Sequence, residues 1–386
     1  MRILIVHNQL WAHYKATVFS ELHRLTANTR HQIHVIQIAE VEKSRQGMAD
    51  SDRSVHQYPY EVLFEGALEN VAILPKIARL LERTIAFAPD VVNVTGYYDP
   101  ATWALLLYCK IREIPVILSN ESTAQDHQRE GVKEQFKSWL VKQYDGFFCF
   151  GTKAAAYMTQ LGVSEEKILT KNAAVVDNQA IEERFQSAKL HKIQRKQELA
   201  LATHNFVFVG RLVEVKNLPF LLSAFKKVSE NAPNWGLIMV GDGELLGVLR
   251  QQITEQQIKN VYFAGSQPWQ HIPDWLALSD VFLISSTSET WGLVVNEAMI
   301  CELPVLVSTQ CGCAVDLVKE GQNGFTFDPS NQEQLVELML QFTENQVDLS
   351  KMGAQSKQFI KGFSPSVAAK SMLDGFELVV LQSKEK

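Results

Sequence analysis

Two carboxylates, Glu289 and Glu297, stand with seven residues between them in Ser288-Glu289-Thr290-Trp291-Gly292-Leu293-Val294-Val295-Asn296-Glu297-Ala298. They follow Val281-Phe282-Leu283-Ile284, a β-branched and aromatic run that reads as a strand ending in Ser285-Ser286-Thr287-Ser288. Glu289 therefore belongs on the loop at the strand's carboxyl end, with a helix starting just beyond it. The N–H groups of Gly292, Leu293 and Val294 would have no acceptor inside that helix and would carry the positive end of its dipole, which suits a diphosphate. Glu297, about a turn and a half further in, is placed to accept from vicinal hydroxyls. A diphosphate and a diol on one ligand describe a nucleotide sugar.

Cations of the right kind leave a second strand end. Residues 206–209 read as a strand, followed by Gly210-Arg211-Leu212-Val213-Glu214-Val215-Lys216-Asn217 and a helix opening near Asn217-Leu218-Pro219. Asn217 is the expected N-cap, Pro219 suits the first turn, and Gly210 is expected to let backbone approach closely. The planar fork of Arg211 and the ammonium of Lys216 could grip a pyrophosphate and neutralise it as it leaves. The next strand, 237–240, runs into Gly241-Asp242-Gly243-Glu244-Leu245-Leu246-Gly247. This is only a partial dinucleotide fingerprint, because its third glycine is late and no acid ends the following strand at 261–264. Gly241 therefore reads as a tight turn beside the ligand, with no nicotinamide cofactor. Ser266 lies in Gly265-Ser266-Gln267-Pro268 after the third strand, a loop that could offer backbone groups to a nucleobase edge. Cys311-Gly312-Cys313 reads as a small-residue turn and Gly321-Gln322-Asn323-Gly324-Phe325 as a hairpin-like return.

The elements that must position these groups alternate strand and helix throughout the 386 residues, the mark of parallel sheets covered on both faces. Strands are expected at 3–6, 33–38, 60–64, 91–94, 116–119 and 147–150. A second series is expected at 206–209, 237–240, 261–264, 281–284, 305–307 and near 325–327. The class is α/β, with two doubly wound, Rossmann-like domains facing each other across a cleft and ligands at the carboxyl ends of the strands. Residues 1–180 form the first domain, 181–200 a linker or surface helix, and 201–364 the second domain. The helical pattern in 365–386 closes the second domain or packs back on the first.

Composition narrows the partners. A formal net charge of -6 gives no global attraction to nucleic acid. Five cysteines, several inside apolar runs, suit a reducing cytoplasm. Cys311 and Cys313 lack zinc spacing, Asp50-Ser51-Asp52 follows no strand, and no metal is expected. The first residues read as a strand and not a signal peptide, and no apolar run is long enough to span a membrane. One stretch, 129–144, sets Phe136, Trp139 and Leu140 beside Lys133, Lys137 and Lys142, which leaves open a peripheral contact with anionic lipid.

Taken in order, Gly210-Arg211 with Lys216, Gly241-Asp242-Gly243, Glu289 with Glu297 before Ala298, and Asn323-Gly324 resemble the retaining glycosyltransferases of family 4, of GT-B fold, the glycogen synthase-like and sucrose synthase-like group. The resemblance covers about 205–330 well. In the first half it rests on the βα rhythm and on segments such as Ala88-Pro89-Asp90-Val91-Val92 and Asn120-Glu121-Ser122-Thr123. It implies transfer of a sugar from a UDP or GDP donor to an acceptor hydroxyl with retention of configuration and without a metal or other cofactor. It further implies that Arg211 and Lys216 hold the diphosphate, Glu297 the ribose and Glu289 the transferred sugar. A polar group near the reacting carbon is implied for the loop after 116–119, where Glu121 is the first candidate, then Asp126 and His127. The first strand departs from the family, with His7-Asn8-Gln9-Leu10-Trp11-Ala12-His13-Tyr14 where many relatives carry a glycine pair; Trp11, His13 and Tyr14 are the acceptor-side candidates. Competing readings are an epimerase or glycan phosphorylase on the same scaffold, and a sugar-nucleotide binding protein without catalysis.

Overall fold

A computed structural model of the chain describes residues 1–43, 53–124 and 132–385. The residues separate into two compact units, 1–176 with 363–386, and 177–362.

The first unit is built on seven strands: β1 (Arg2–Gln9), β2 (Gln32–Ala39), β3 (Tyr60–Val62), β4 (Val91–Thr95), β5 (Val116–Asn120), β6 (Gly146–Cys149) and β7 (Ile168–Thr170). They lie in the order β3-β2-β1-β4-β5-β6-β7, every pair parallel. Central strands such as Val116-Ile117-Leu118 are wholly apolar because helices cover both faces. β7 was not anticipated: its three residues sit between Lys167 and Lys171 at the sheet edge. The terminal helix Pro365–Lys384 is capped by Ser364, which accepts from the Val367 N–H, and it groups with this unit. Its Phe376 meets Phe148 of β6 edge-on at 5.2 Å, and Gly375 sits where a Cβ would press on the Phe148 ring.

The second unit carries β8 (His204–Val209), β9 (Trp235–Val240), β10 (Val261–Gly265), β11 (Val281–Ile284), β12 (Val305–Ser308) and β13 (Gly324–Phe327). Their order is β10-β9-β8-β11-β12-β13, again all parallel. The return at 321–325 is therefore no hairpin, since β13 pairs parallel to β12. Residues 181–200 are mostly helical, in Asn178–Lys189 and Lys192–Glu198, and belong to this unit. The strand order reverses between β8 and β11, and such a switch point opens a crevice at the carboxyl ends of the two strands.

Candidate functional site

Lys216 leaves β8 and Glu289 leaves β11, the two strands of that switch point, and their side chains form an ion pair. The loop carrying Lys216 is held from the β11 side. Ser285 Oγ donates to the Lys216 carbonyl (2.8 Å), and the Thr287 N–H donates to the Val215 carbonyl (2.9 Å). Ser285 and Thr287, just past β11, thus serve as clamps, a role that the sequence alone did not indicate.

Asn217 does not cap the following helix Leu218–Ser229 with its side chain. It adopts a left-handed conformation (φ 55°) and donates from Nδ2 to the Pro329 carbonyl at 2.9 Å. Asparagine tolerates that conformation better than most residues, so it still makes the turn that brings Lys216 back toward β11. Close backbone approach occurs one strand away from where it was expected. A Cβ at Gly241 would overlap the Gly210 carbonyl, whereas one at Gly210 would meet only side chains, nearest the Phe208 ring. Hydrogen bonds from Gly210 N–H to the Val240 carbonyl and from Gly241 N–H to the Gly265 carbonyl, both 2.9 Å, lay the loops after β8, β9 and β10 side by side.

Glu289 is fixed by a turn from further along the chain. The Gly312 N–H donates to the Glu289 carbonyl (2.8 Å) and the Cys313 N–H to the Trp291 carbonyl (3.1 Å). A Cβ on Gly312 would overlap the Thr290 carbonyl, so the small-residue turn is a buttress for the Glu289 loop. Both flanking cysteines are buried, and burial pushes the Cys313 thiol up, which keeps it protonated. Trp291 turns inward and donates from Nε1 to Asn296 Oδ1 at 2.9 Å, tying the loop to the helix it precedes.

That helix runs Leu293–Ile300 behind Gly292, which caps it at φ 97°. Leu293 and Val294 are its first residues, and their N–H groups lack intrahelical acceptors. Glu297 is on the same helix, and its carboxyl group has no hydrogen-bond partner among the described residues. Desolvation raises its carboxyl from the usual 4.5 to about 8. Arg211 is exposed and makes no ion pair among the described residues, and Ser266 is exposed in the turn after β10 that Gln267 closes onto the Ala264 carbonyl (2.7 Å). The second unit thus brings Lys216 and Glu289 into contact, sets Gly210 and Gly241 on adjoining loops, and places Leu293, Val294 and Glu297 on the helix that Gly292 caps.

In the first unit, Trp11 and His13 contact edge to face at 5.9 Å, and Tyr14 meets Phe150 at 6.4 Å. β1 is longer than expected and takes in His7, Asn8 and Gln9, so the three aromatic candidates start where it ends. Glu121, just past β5, pairs at 3.1 Å with Lys15, a buried lysine the sequence had not singled out. The Lys15 ammonium also lies 4.1 Å from the centre of the Phe150 ring. Burial lowers it from the usual 10.5, opposed by Glu121. Burial and the Lys15 charge push His7 down to about 4, so it is neutral at pH 7. Asp126 and His127, like Asp50 and Asp52, lie outside the described residues.

The stretch expected to be amphipathic is divided. Leu140 and Lys137 are buried, and Lys137 donates to Glu134 (2.9 Å) and to the Tyr157 hydroxyl. Only Phe136 and Trp139 of the named apolar residues face solvent. Among the described residues no helix is long and apolar enough to cross a membrane, and no cluster of three or more potential metal ligands occurs.

Residues 191–359, nearly the whole second unit, match the family model for glycosyl transferases group 1. The second unit is thus similar to the group 1 glycosyl transferases over almost all of its length. The chain is 26% identical to the sulfoquinovosyl transferase of Arabidopsis thaliana over 69% of its own length and 52% of the relative's. It is 31% identical to an alpha-1,3-galactosyltransferase of Escherichia coli acting on a GlcNAc-diphosphoundecaprenol, over 57% of each chain. It spans about half the length of the curated relatives it matches. Among solved structures, Anabaena HepE in complex with UDP superposes with a TM-score of 0.71 at 18% identity, covering 98% of this chain and 100% of that one. Sucrose-phosphate synthase from Thermosynechococcus elongatus gives 0.72 at 13% identity, covering 99% and 100%. The two Rossmann-like units are those of the GT-B fold.

Proposed function

We propose that the chain moves a glycosyl group from a nucleoside diphosphate sugar to an acceptor hydroxyl of a glycan or glycolipid, with retention of configuration and without a metal. The observation that carries this reading is the Lys216–Glu289 pair at the β8/β11 switch point, beside the start of the helix bearing an unpartnered Glu297. Lys216 and the free N–H groups of Leu293 and Val294 bind the diphosphate, joined by Arg211 from its exposed loop. Glu297 accepts from the ribose hydroxyls, and Ser266 is placed for the base. Glu289 takes the hydroxyls of the transferred sugar once Lys216 turns to the phosphates.

In the reaction the bond from the anomeric carbon to the diphosphate oxygen breaks and a bond to the acceptor oxygen forms on the same face. The acceptor proton passes to the leaving diphosphate. Charge grows on the phosphates as the bond lengthens, so the cations and the helix start stabilise the transition state more than the ground state. They supply the positive charge that a metal ion would otherwise provide. Retention and independence of metal rest on the family resemblance. In the first unit, Glu121 is the foremost candidate near the reacting carbon, and Trp11, His13 and Tyr14 offer rings on which an acceptor could stack. UDP-hexoses are the first donors to try, because HepE has been solved with UDP and with UDP-glucose.

The test is a thermal-shift panel of nucleoside diphosphates and their sugars, followed by incubation of the best donor with glycan and lipid acceptors in the presence of EDTA. A raised melting temperature and a product with the donor's anomeric configuration support the reading. An inverted anomer, or turnover abolished by EDTA, refutes the corresponding part of it. An epimerised donor or release of sugar phosphate would point instead to the epimerase or phosphorylase alternative.

A further inference from the structure

An apolar face of the first unit has no covering element among the described residues. The helices Pro100–Ile111 and Val132–Val141 follow β4 and β5, so right-handed crossovers set them side by side and pointing the same way. Trp103 meets Phe136 with ring centres 5.3 Å apart, and Phe136 meets Trp139 at 5.8 Å. Leu107 and Ile111 lie one and two turns beyond Trp103 along the same helix face. The inward residues, Leu105 and Leu106 on one helix, Leu140 and Val141 on the other, are already buried in the core. Left in solvent are Phe136 (44% exposed), Trp139 (59%), Leu107 (63%) and Ile111 (72%). Arg112 and Lys142 are exposed at the carboxyl ends of the two helices, and Glu113 offsets one of these charges.

Four such side chains expose on the order of 100 Å² each, or about 400 Å² together. That falls within the roughly 300–600 Å² of the largest apolar patch on a typical monomer, which is often functional, and is about half of the ~800 Å² that each partner gives to a stable protein interface. A bilayer requires no matching surface of fixed shape. It accepts aliphatic and aromatic tips at the boundary between headgroups and acyl chains, favours tryptophan there, and rewards flanking cations when the lipid is anionic. We propose that this face docks the protein on an anionic lipid bilayer, with Trp139, Leu107 and Ile111 entering the headgroup boundary. Lys137 takes no part, since it is buried against Glu134 and Tyr157. Binding is carried mainly by the apolar tips, so it weakens but persists when salt is raised.

Flotation of the full chain with phosphatidylcholine vesicles, with and without phosphatidylglycerol, tests this. The protein is expected to rise with the phosphatidylglycerol vesicles. Trp139→Ser and Ile111→Ser should each lower the partition coefficient roughly tenfold, the scale set by losing one inserted apolar side chain. Lys142→Ala should give a smaller loss, seen only with phosphatidylglycerol. Leu190→Ser, removing an exposed leucine (82%) from the second unit, is the control and should change nothing. All four positions are exposed, so unchanged melting temperatures and nucleotide binding show that the fold and the donor site are intact. A wild-type chain that stays at the bottom of the gradient, or variants that float as it does, would overturn the proposal. So would a dimer in sedimentation that Trp139→Ser dissociates while flotation stays unaltered, which would make the face a contact between copies.

Discussion

Lys216 and Glu289 neutralise each other across the β8/β11 switch point, so the cation proposed to hold the donor phosphates is already engaged by a carboxylate. On the proposed reading a diphosphate takes Lys216 from Glu289 and thereby releases Glu289 toward the sugar. The two residues should therefore respond oppositely to substitution. Lys216→Ala is expected to cost about 1.5–3 kcal/mol of transition-state binding, the worth of a hydrogen bond to a charged group, or roughly 10- to 150-fold in kcat/KM. Glu289→Gln should bind a sugar-free nucleoside diphosphate several-fold more tightly while transfer falls. Calorimetry with the diphosphate and steady-state kinetics check both, and full turnover in Lys216→Ala would exclude the assignment.

If Glu297 holds the ribose as proposed, donor binding is expected to depend on pH. Its carboxyl, raised to about 8 by desolvation, is mostly protonated at pH 7 in the free protein. Ribose hydroxyls that donate to it favour the ionised form, so binding must release a proton. Affinity is then expected to rise with pH by up to about tenfold per unit as pH approaches 8, and to level off above it. Stability moves the other way. Between the usual 4.5 and about 8 the folded carboxyl holds a proton that the unfolded chain has released, so this group destabilises the fold progressively as pH rises through that window. Glu297→Gln should flatten both dependences, which calorimetry in buffers of different ionisation enthalpy and melting curves across pH would reveal.

The Cys311-Gly312-Cys313 turn offers a steric test that adds no charge. Gly312→Ala would drive a methyl into the Thr290 carbonyl and push away the loop that carries Glu289. A loss of stability of about 1–3 kcal/mol, as for other overpacked sites, should accompany a fall in transfer. Gly247→Ala is the contrast, because a Cβ there meets nothing within 4 Å and the residue lies inside the helix Leu246–Glu255. It should leave donor binding alone and stabilise by about 0.5–1 kcal/mol. Urea unfolding with parallel donor titration separates the two.

Much of this architecture is legible because parallel strands buried on both faces must be continuous apolar runs, and 206–209, 237–240 and 281–284 are such runs. Ile168–Thr170 escaped because three residues at a sheet edge carry too little pattern. Lys216 and Glu289 could be nominated because each follows a strand and their charges suit one ligand. What could not be read was pairing across the chain. Nothing near Gly312 indicates that its missing Cβ makes room for Thr290, and Lys15 and Glu121 become partners only when β1 and β5 share a sheet. Asn217 misled for a related reason, since an asparagine before a helix serves equally as a side-chain cap or as a left-handed turn. Periodicity also placed Lys137 on a wet face, because it carries no sign of the buried tyrosine that receives it.

The Lys15–Glu121 pair separates a structural role from a chemical one. Lys15 is 8% exposed in its side chain and Glu121 32%, so the lysine is the member that suffers most when left alone. Glu121→Gln strands a buried ammonium, whereas Lys15→Met removes the charge that most needs solvation and leaves a carboxylate that water can still reach. The first change should therefore destabilise more than the second, by about 1–3 kcal/mol, below the 3–5 kcal/mol of a fully buried pair because water screens Glu121. The double variant should be more stable than the sum of the single losses, with a coupling of about 0.5–3 kcal/mol in urea unfolding. Donor affinity, measured by calorimetry, should be unchanged in all three, because every donor group named above lies in the second unit. If Glu121 also acts at the reacting carbon, Lys15→Met/Glu121→Gln will recover stability but not turnover, whereas a purely structural pair would recover both.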